Sequence, residues 1–90
     1  MVTVKDILVS QLTSEQKSAS HTWPIWRHDP GAFEWTYTDK ETCVLLEGRV
    51  TVSDSTGSVS FQTGDRVEFP RGLVCTWTIH ETVMKNYTFG

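Results

Sequence analysis

Gly64-Asp65-Arg66-Val67-Glu68-Phe69-Pro70-Arg71-Gly72-Leu73-Val74-Cys75-Thr76-Trp77-Thr78-Ile79 is the stretch that decides the fold. Its apolar residues alternate. Val67 and Phe69 oppose Arg66 and Glu68, then Leu73, Cys75, Trp77 and Ile79 oppose Val74, Thr76, Thr78 and His80. A side-chain period of two is the mark of strands with one buried face. Between the two runs, Pro70-Arg71-Gly72 is a tight turn, with one φ fixed by proline and one residue free of Cβ. Working outward, the same punctuation recurs. Asp29-Pro30-Gly31, Thr38-Asp39-Lys40, Ser53–Gly57 and Thr63-Gly64-Asp65 are turns, and Glu47-Gly48 divides the β-rich run Cys43–Val52. Turns every 8–12 residues or so predict an all-β sandwich or barrel of at least seven short strands after Trp23. The last strand places Val83, Lys85, Tyr87 and Phe89 on one face, a lysine in an apolar row. Before Trp23, Val2–Val9 suits a short strand, and Thr13 or Ser14 is poised to cap a short helix ahead of Glu15. Residues 1–22 thus read as an N-terminal segment and 23–90 as a single domain.

The chain has 90 residues, four Trp, four Phe and two Tyr, enough large apolar side chains to argue against disorder. Eight basic and eleven acidic residues are scattered evenly, which leaves no electrostatic footprint for nucleic acid or an anionic membrane. No apolar run nears the ~20 residues of a membrane span, and the N-terminus lacks the basic and apolar regions of a secretory leader. The two cysteines form neither a CxxC pair nor a disulfide framework, so free thiols in a reducing cytoplasm are expected.

Two spacings go further than β-propensity. Glu34-x-Thr36-x4-Glu41-x6-Gly48 and Gly64-x5-Pro70-x-Gly72-x2-Cys75 resemble the two signature motifs of the cupin superfamily, over residues 31–79. Ser53–Thr63 falls where that family has its variable hairpin. Within it, Trp23-Pro24-Ile25-Trp26, Leu45-Leu46-Glu47-Gly48, Phe69-Pro70-Arg71-Gly72 and Lys85-x-Tyr87 are similar to the small single-domain cupins related to ureidoglycine aminohydrolase. The resemblance implies a small jelly-roll barrel of antiparallel strands, with a short and partly helical N-terminal segment. Position by position, it puts Glu34 and Thr36 where a typical cupin has two histidines, Glu41 at the glutamate, and Cys75 at the last histidine. All three histidines of this chain (His21, His28, His80) lie elsewhere. First-row metals favour imidazole, so no metal is expected; Zn or Mn held by Glu34, Glu41 and Cys75 is the alternative.

The expected pocket is Glu34, Thr36, Glu41, Cys43, Cys75, Trp77, Lys85 and Tyr87. Glu34 and Glu41 are either a carboxylate pair suited to acid–base work or solvated groups at a wet barrel mouth. Cys75 is either a nucleophile or a buried small residue, and no histidine is placed to activate it. Lys85 either pairs with Glu34 or Glu41 or snorkels at a sheet edge. Glu34, Glu41 and Lys85 are therefore the catalytic candidates. If Glu34 faces inward, Phe33, Trp35 and Tyr37 face outward and need a cover. Trp23 and Trp26, or a second subunit in a homodimer through this face or the N-terminal segment, are available. The function that follows is a cytoplasmic, small-molecule-binding cupin without the histidine metal site. The alternatives are a metal-assisted hydrolase of small ureido or amino-acid-like compounds, and a structural or regulatory dimer with a plugged barrel.

Overall fold

The computed structural model describes residues 1–90. Seven strands, β1 (Leu8–Gln11), β2 (Ile25–His28), β3 (Gly31–Thr36), β4 (Glu41–Asp54), β5 (Gly57–Gln62), β6 (Asp65–Phe69) and β7 (Val74–Phe89), form one antiparallel sheet. Its main order is β1-β6-β4-β7-β2, with β5 joined to β4 and β3 to β7. The two long strands turn a corner, so the sheet folds over itself as a jelly-roll barrel. One layer is β1, β6, the first part of β4, the last part of β7, and β2; the other is β5, the rest of β4, the first part of β7, and β3. After Trp23 there are six strands rather than seven or more, because β4 and β7 run unbroken through their corners where sequence punctuation suggests two short strands each.

Glu47-Gly48 is the corner itself. The β4–β7 register shifts between Leu45 and Val50, and Gly48 sits at φ +109°. A Cβ there would lie 2.7 Å from the Thr82 carbonyl oxygen and 2.8 Å from Val83 Cα, so the two backbones can cross this closely only over glycine. The Pro70-Arg71-Gly72 turn does a second job. With Gly72 at φ +89°, its N–H donates to the Tyr37 carbonyl at 2.7 Å, and Tyr37 N–H donates to the Leu73 carbonyl at 2.8 Å. The end of β3 is thereby zipped to the turn, which fixes where Tyr37 enters the barrel.

The N-terminal segment is built into the domain. A 3-10 turn, Val4–Asp6, inserts Val4 and Ile7 into the core, and Val4 N–H donates to Asp54 Oδ2 at 2.9 Å. β1 extends the sheet edge at β6. The helix α1 (Ser14–Ser20) starts at Thr13 with a reciprocal capping box to Gln16. No helix is long and apolar enough to cross a membrane.

The inward set is Cys43, Leu45, Val50, Val52, Phe61, Val67, Phe69, Leu73, Cys75, Trp77, Ile79 and Val83, which follows the alternation of β4, β6 and β7. One strand departs from expectation. In β3, Phe33 pairs with Trp77 and Glu34 with Thr76, so Phe33, Trp35 and Tyr37 share the inner face while Glu34 and Thr36 are exposed on the outer one. The register implied by the motif spacing is off by one residue here. The aromatic row is the barrel lining, and the outer face on which a homodimer was expected is not aromatic.

Candidate functional site

One end of the barrel is hollow, with about 520 Å³ of open space counting its mouth. β2 contributes Trp26, β3 and the residue after it contribute Phe33, Trp35 and Tyr37, and β7 contributes Trp77, Tyr87 and Phe89. The only charged groups among these seven rings are Glu41, at the start of β4, and Lys85, near the end of β7. Each is placed by strand parity. Glu41 is opposite Phe89, Cys43 opposite Tyr87 and Leu45 opposite Lys85, so every one of these side chains points into the barrel.

Lys85 Nζ donates to Glu41 Oε2 at 2.6 Å, with both side chains buried. Its ammonium also sits 4.8 Å from the centre of the Trp77 ring, 4.9 Å from Trp26 and 5.9 Å from Tyr87. An ion pair taken out of water needs such compensation, and ring faces offer a cation negative potential without hydration. The aromatic cage of this barrel therefore already holds a cation, the protein's own. Trp77 Nε1–H donates to the Tyr37 hydroxyl at 3.0 Å, and Tyr37 stacks on Phe69 with centroids 4.7 Å apart. Burial, and next the charge of Glu41, push the Tyr37 phenol well above its usual range, so it stays protonated at any ordinary pH.

Of the residues expected at the site, Glu41, Trp77, Lys85 and Tyr87 line the hollow together. Glu34 and Thr36 do not reach it, because they lie on the outer face of β3. Cys43 and Cys75 point inward but are buried in the core. Burial raises the Cys43 thiol to about 12 even with Lys85 nearby pulling it down, and burial together with the Asp54 charge raises Cys75 to about 11. Neither is a nucleophile at neutral pH. Glu41 thus faces a lysine rather than a second carboxylate. Trp26, Phe33, Trp35, Tyr37 and Phe89 are the lining residues that the motif spacing does not mark. The alternation Phe33-x-Trp35-x-Tyr37 is the sequence signal for three of them, since the apolar face of a strand is the one a barrel buries.

The metal that the motif resemblance implies does not fit this donor set. Glu34, Glu41 and Cys75 are not brought together, and no three His, Cys, Asp or Glu side chains converge anywhere in the chain. Inside the hollow, Glu41 is the single carboxylate, one oxygen is already bound to an ammonium, and both thiols hold their protons.

A family profile described as the EutQ-like cupin domain matches residues 15–87. Among solved structures, a DUF861-family protein from Thermotoga maritima is 35% identical over 94% of this chain and 100% of its own, with a TM-score of 0.90. A protein of unknown function from Pseudomonas syringae pv. tomato, of the same family, is 32% identical over 73% of this chain and 29% of its own, with a TM-score of 0.66. The EutQ protein of Clostridium difficile shares the fold, at 16% identity and a TM-score of 0.67 over 92% of this chain and 66% of its own. No curated protein matches the chain.

Proposed function

The chain belongs to the EutQ-like cupin domain family, and we propose that it binds a small, flat, anionic or carbonyl-bearing molecule in its aromatic hollow, with Lys85 as the anchor and no resident metal. The observation that carries this reading is the Lys85–Glu41 pair among seven aromatic rings. Lysine has three N–H groups, and only one is engaged by hydrogen bonding, to Glu41. A ligand oxygen can take another, while the rings bury a planar body at little entropic cost. A cationic ligand has no such opening, because the ammonium of Lys85 occupies the ring faces. Hydrolysis of polar ureido compounds, which the aminohydrolase resemblance implies, suits these walls poorly. Its proposed ligands Glu34 and Cys75 lie outside the hollow, and seven of the nine lining residues are aromatic.

The test is thermal unfolding in the presence of phenylacetate, benzyl alcohol or benzylamine. Phenylacetate should stabilise the protein, by about 2.7 kcal/mol at 100 Kd, and benzylamine should not. The double variant Glu41→Gln/Lys85→Met, which removes both charges together, should lose the response. Equal shifts from all three compounds, or a response that survives the double variant, would refute a lysine-anchored site.

A further inference from the structure

The two oxygens of Glu41 are not equivalent. Oε2 is held by Lys85, whereas Oε1 has no hydrogen-bond partner. Yet no fully buried side-chain nitrogen or oxygen in the protein lacks a partner. Oε1 therefore keeps some exposure, and Glu41 lines the hollow. A carboxylate with one oxygen anchored and the other facing an apolar chamber is the arrangement of a positioned base. The ammonium anchoring it is the arrangement of a positioned acid.

We propose that the hollow is a proton-transfer site, where Glu41 and Lys85 interconvert the keto and enol forms of a small 2-oxo acid bearing a flat apolar group. The inference rests on the binding reading above and adds a reaction to it. The two N–H groups of Lys85 not used by Glu41 match the two adjacent oxygens of a 2-oxo acid. With the substrate so held, Glu41 Oε1 takes a proton from the carbon next to the carbonyl. The C–H electron pair becomes the new C=C bond, the C=O π pair moves onto oxygen, and that oxygen receives a proton from Lys85 Nζ. Both protein groups are then neutral. Rotation of the Glu41 carboxyl then turns the protonated oxygen toward Lys85, and transfer of that proton to Nζ restores the charged pair, so the cycle needs no co-reactant. The surrounding rings keep water from competing for the enolate and hold the ammonium in place.

Phenylpyruvate in D₂O is the probe. Exchange of its methylene protons is followed by NMR, and its binding is followed separately by quenching of tryptophan fluorescence. The protein should raise exchange well above the buffer rate, and Glu41→Gln should remove about 10²-fold or more of the increase while phenylpyruvate still binds. Glu41→Asp keeps the negative charge but withdraws the carboxylate by one methylene, and should lose most of the exchange as well. Lys85→Met should lose both exchange and binding, and Glu34→Gln should lose neither. Binding without exchange above buffer would overturn the proton-transfer inference and leave the binding reading standing. Exchange that survives in folded Glu41→Asp and Glu41→Gln would also overturn it. Failure of phenylpyruvate to bind at millimolar concentration would overturn both.

Discussion

The barrel has two unlike ends built from the same strands. At one end β4, β5, β6 and the 3-10 turn meet over Val4, Val50, Val52, Phe61, Val67 and Leu73, each 2% exposed or less and all in one core cluster. At the other, β2, β3 and the final residues of β7 bring together larger side chains that do not fill the space between them. The difference lies in residue shape. Branched aliphatic side chains interdigitate to crystal-like density, whereas flat rings held edge-on and face-on leave a slot between their planes. Trp77 and Phe69 are the boundary. Trp77 contacts Trp26 and Phe33 on the hollow side and Phe61 on the filled side, while Phe69 stacks on Tyr37 and meets Phe61 edge-on.

The largest effects should come from breaking that boundary. Phe69 is fully buried, and Phe69→Ala should cost about 3–5 kcal/mol in urea unfolding. A cost under about 1 kcal/mol would mean that the two ends do not share a core. At the hollow end, Glu41→Gln should cost about 3 kcal/mol, because Lys85 is left as a buried charge without its partner. Removing both charges in Glu41→Gln/Lys85→Met should restore most of that loss. The filled end has no equivalent, so this non-additivity is a signature of the hollow end alone. If the double variant is as unstable as the sum of the single ones, the pair is not coupled in solution.

The core beside the Lys85–Glu41 pair is sensitive to alkali for a different reason. The Cys43 thiol has its folded value raised to about 12 from an ordinary 9.0. Its neutral form is favoured by folding, so this stabilisation is complete below pH 9 and is lost as pH rises from there toward 12. The slope while only the unfolded thiol is ionised is about 1.4 kcal/mol per pH unit. Tyr37, also pushed up, acts in the same direction at still higher pH. Cys43→Ala should remove one proton's worth of slope from the alkaline limb, and an unchanged slope would place Cys43 outside the core.

Legibility in the sequence divided along the same line. The alternation in β6 and β7, the turns at Asp29–Gly31, Ser53–Gly57, Thr63–Asp65 and Pro70–Gly72, and a helix cap at Thr13 or Ser14 were all readable, since each depends on neighbours within a few residues. So was the inward parity of Trp77, whereas Glu41 stood open between the barrel interior and its wet mouth, and Lys85 between pairing and the sheet edge. The face of β3 was not readable from the motif. A spacing match aligns Glu34 with an inward ligand position, but it does not sense that Phe33, Trp35 and Tyr37 are the greasier face of the same strand. When a family pattern and the hydrophobic alternation disagree, burial of about 150–250 Å² per aromatic side chain outweighs the placement of one carboxylate. The partner of Lys85 was open between Glu34 and Glu41 for the same reason, and the strand face closed it. The β4 corner was marked by Glu47-Gly48, but as a break between two strands, because composition does not separate a bulge within one strand from a turn between two.

Trp35 tests the rim of the hollow. It is 46% exposed yet lines the opening, so Trp35→Ala should change stability by less than about 1 kcal/mol. It should nevertheless weaken phenylacetate binding by about 0.5–1.5 kcal/mol, the worth of one aromatic contact. Calorimetric titration against the wild type measures this, and an unchanged Kd would move the ligand away from the β3 side of the opening.

The smallest expected effect is the sharpest test of β3. Glu34 and Thr36 are exposed, opposite Thr76 and Val74, on a surface that touches neither the hollow nor the filled core. Glu34→Ala and Thr36→Ala should each change stability by no more than about 0.5 kcal/mol and leave phenylacetate affinity unchanged. In the register implied by the motif spacing, the same substitutions would strip the pocket of a carboxylate and a hydroxyl. Glu34→Ala would then leave a buried lysine short of a partner and would cost as much as Glu41→Gln. The two registers differ by one residue in the chain and by several kcal/mol in this comparison, because a one-residue slip carries every side chain of a strand to its other face. A Glu34→Ala loss comparable to that of Glu41→Gln would put the carboxylate inside and the three aromatic rings outside, and the aromatic hollow would have to be abandoned.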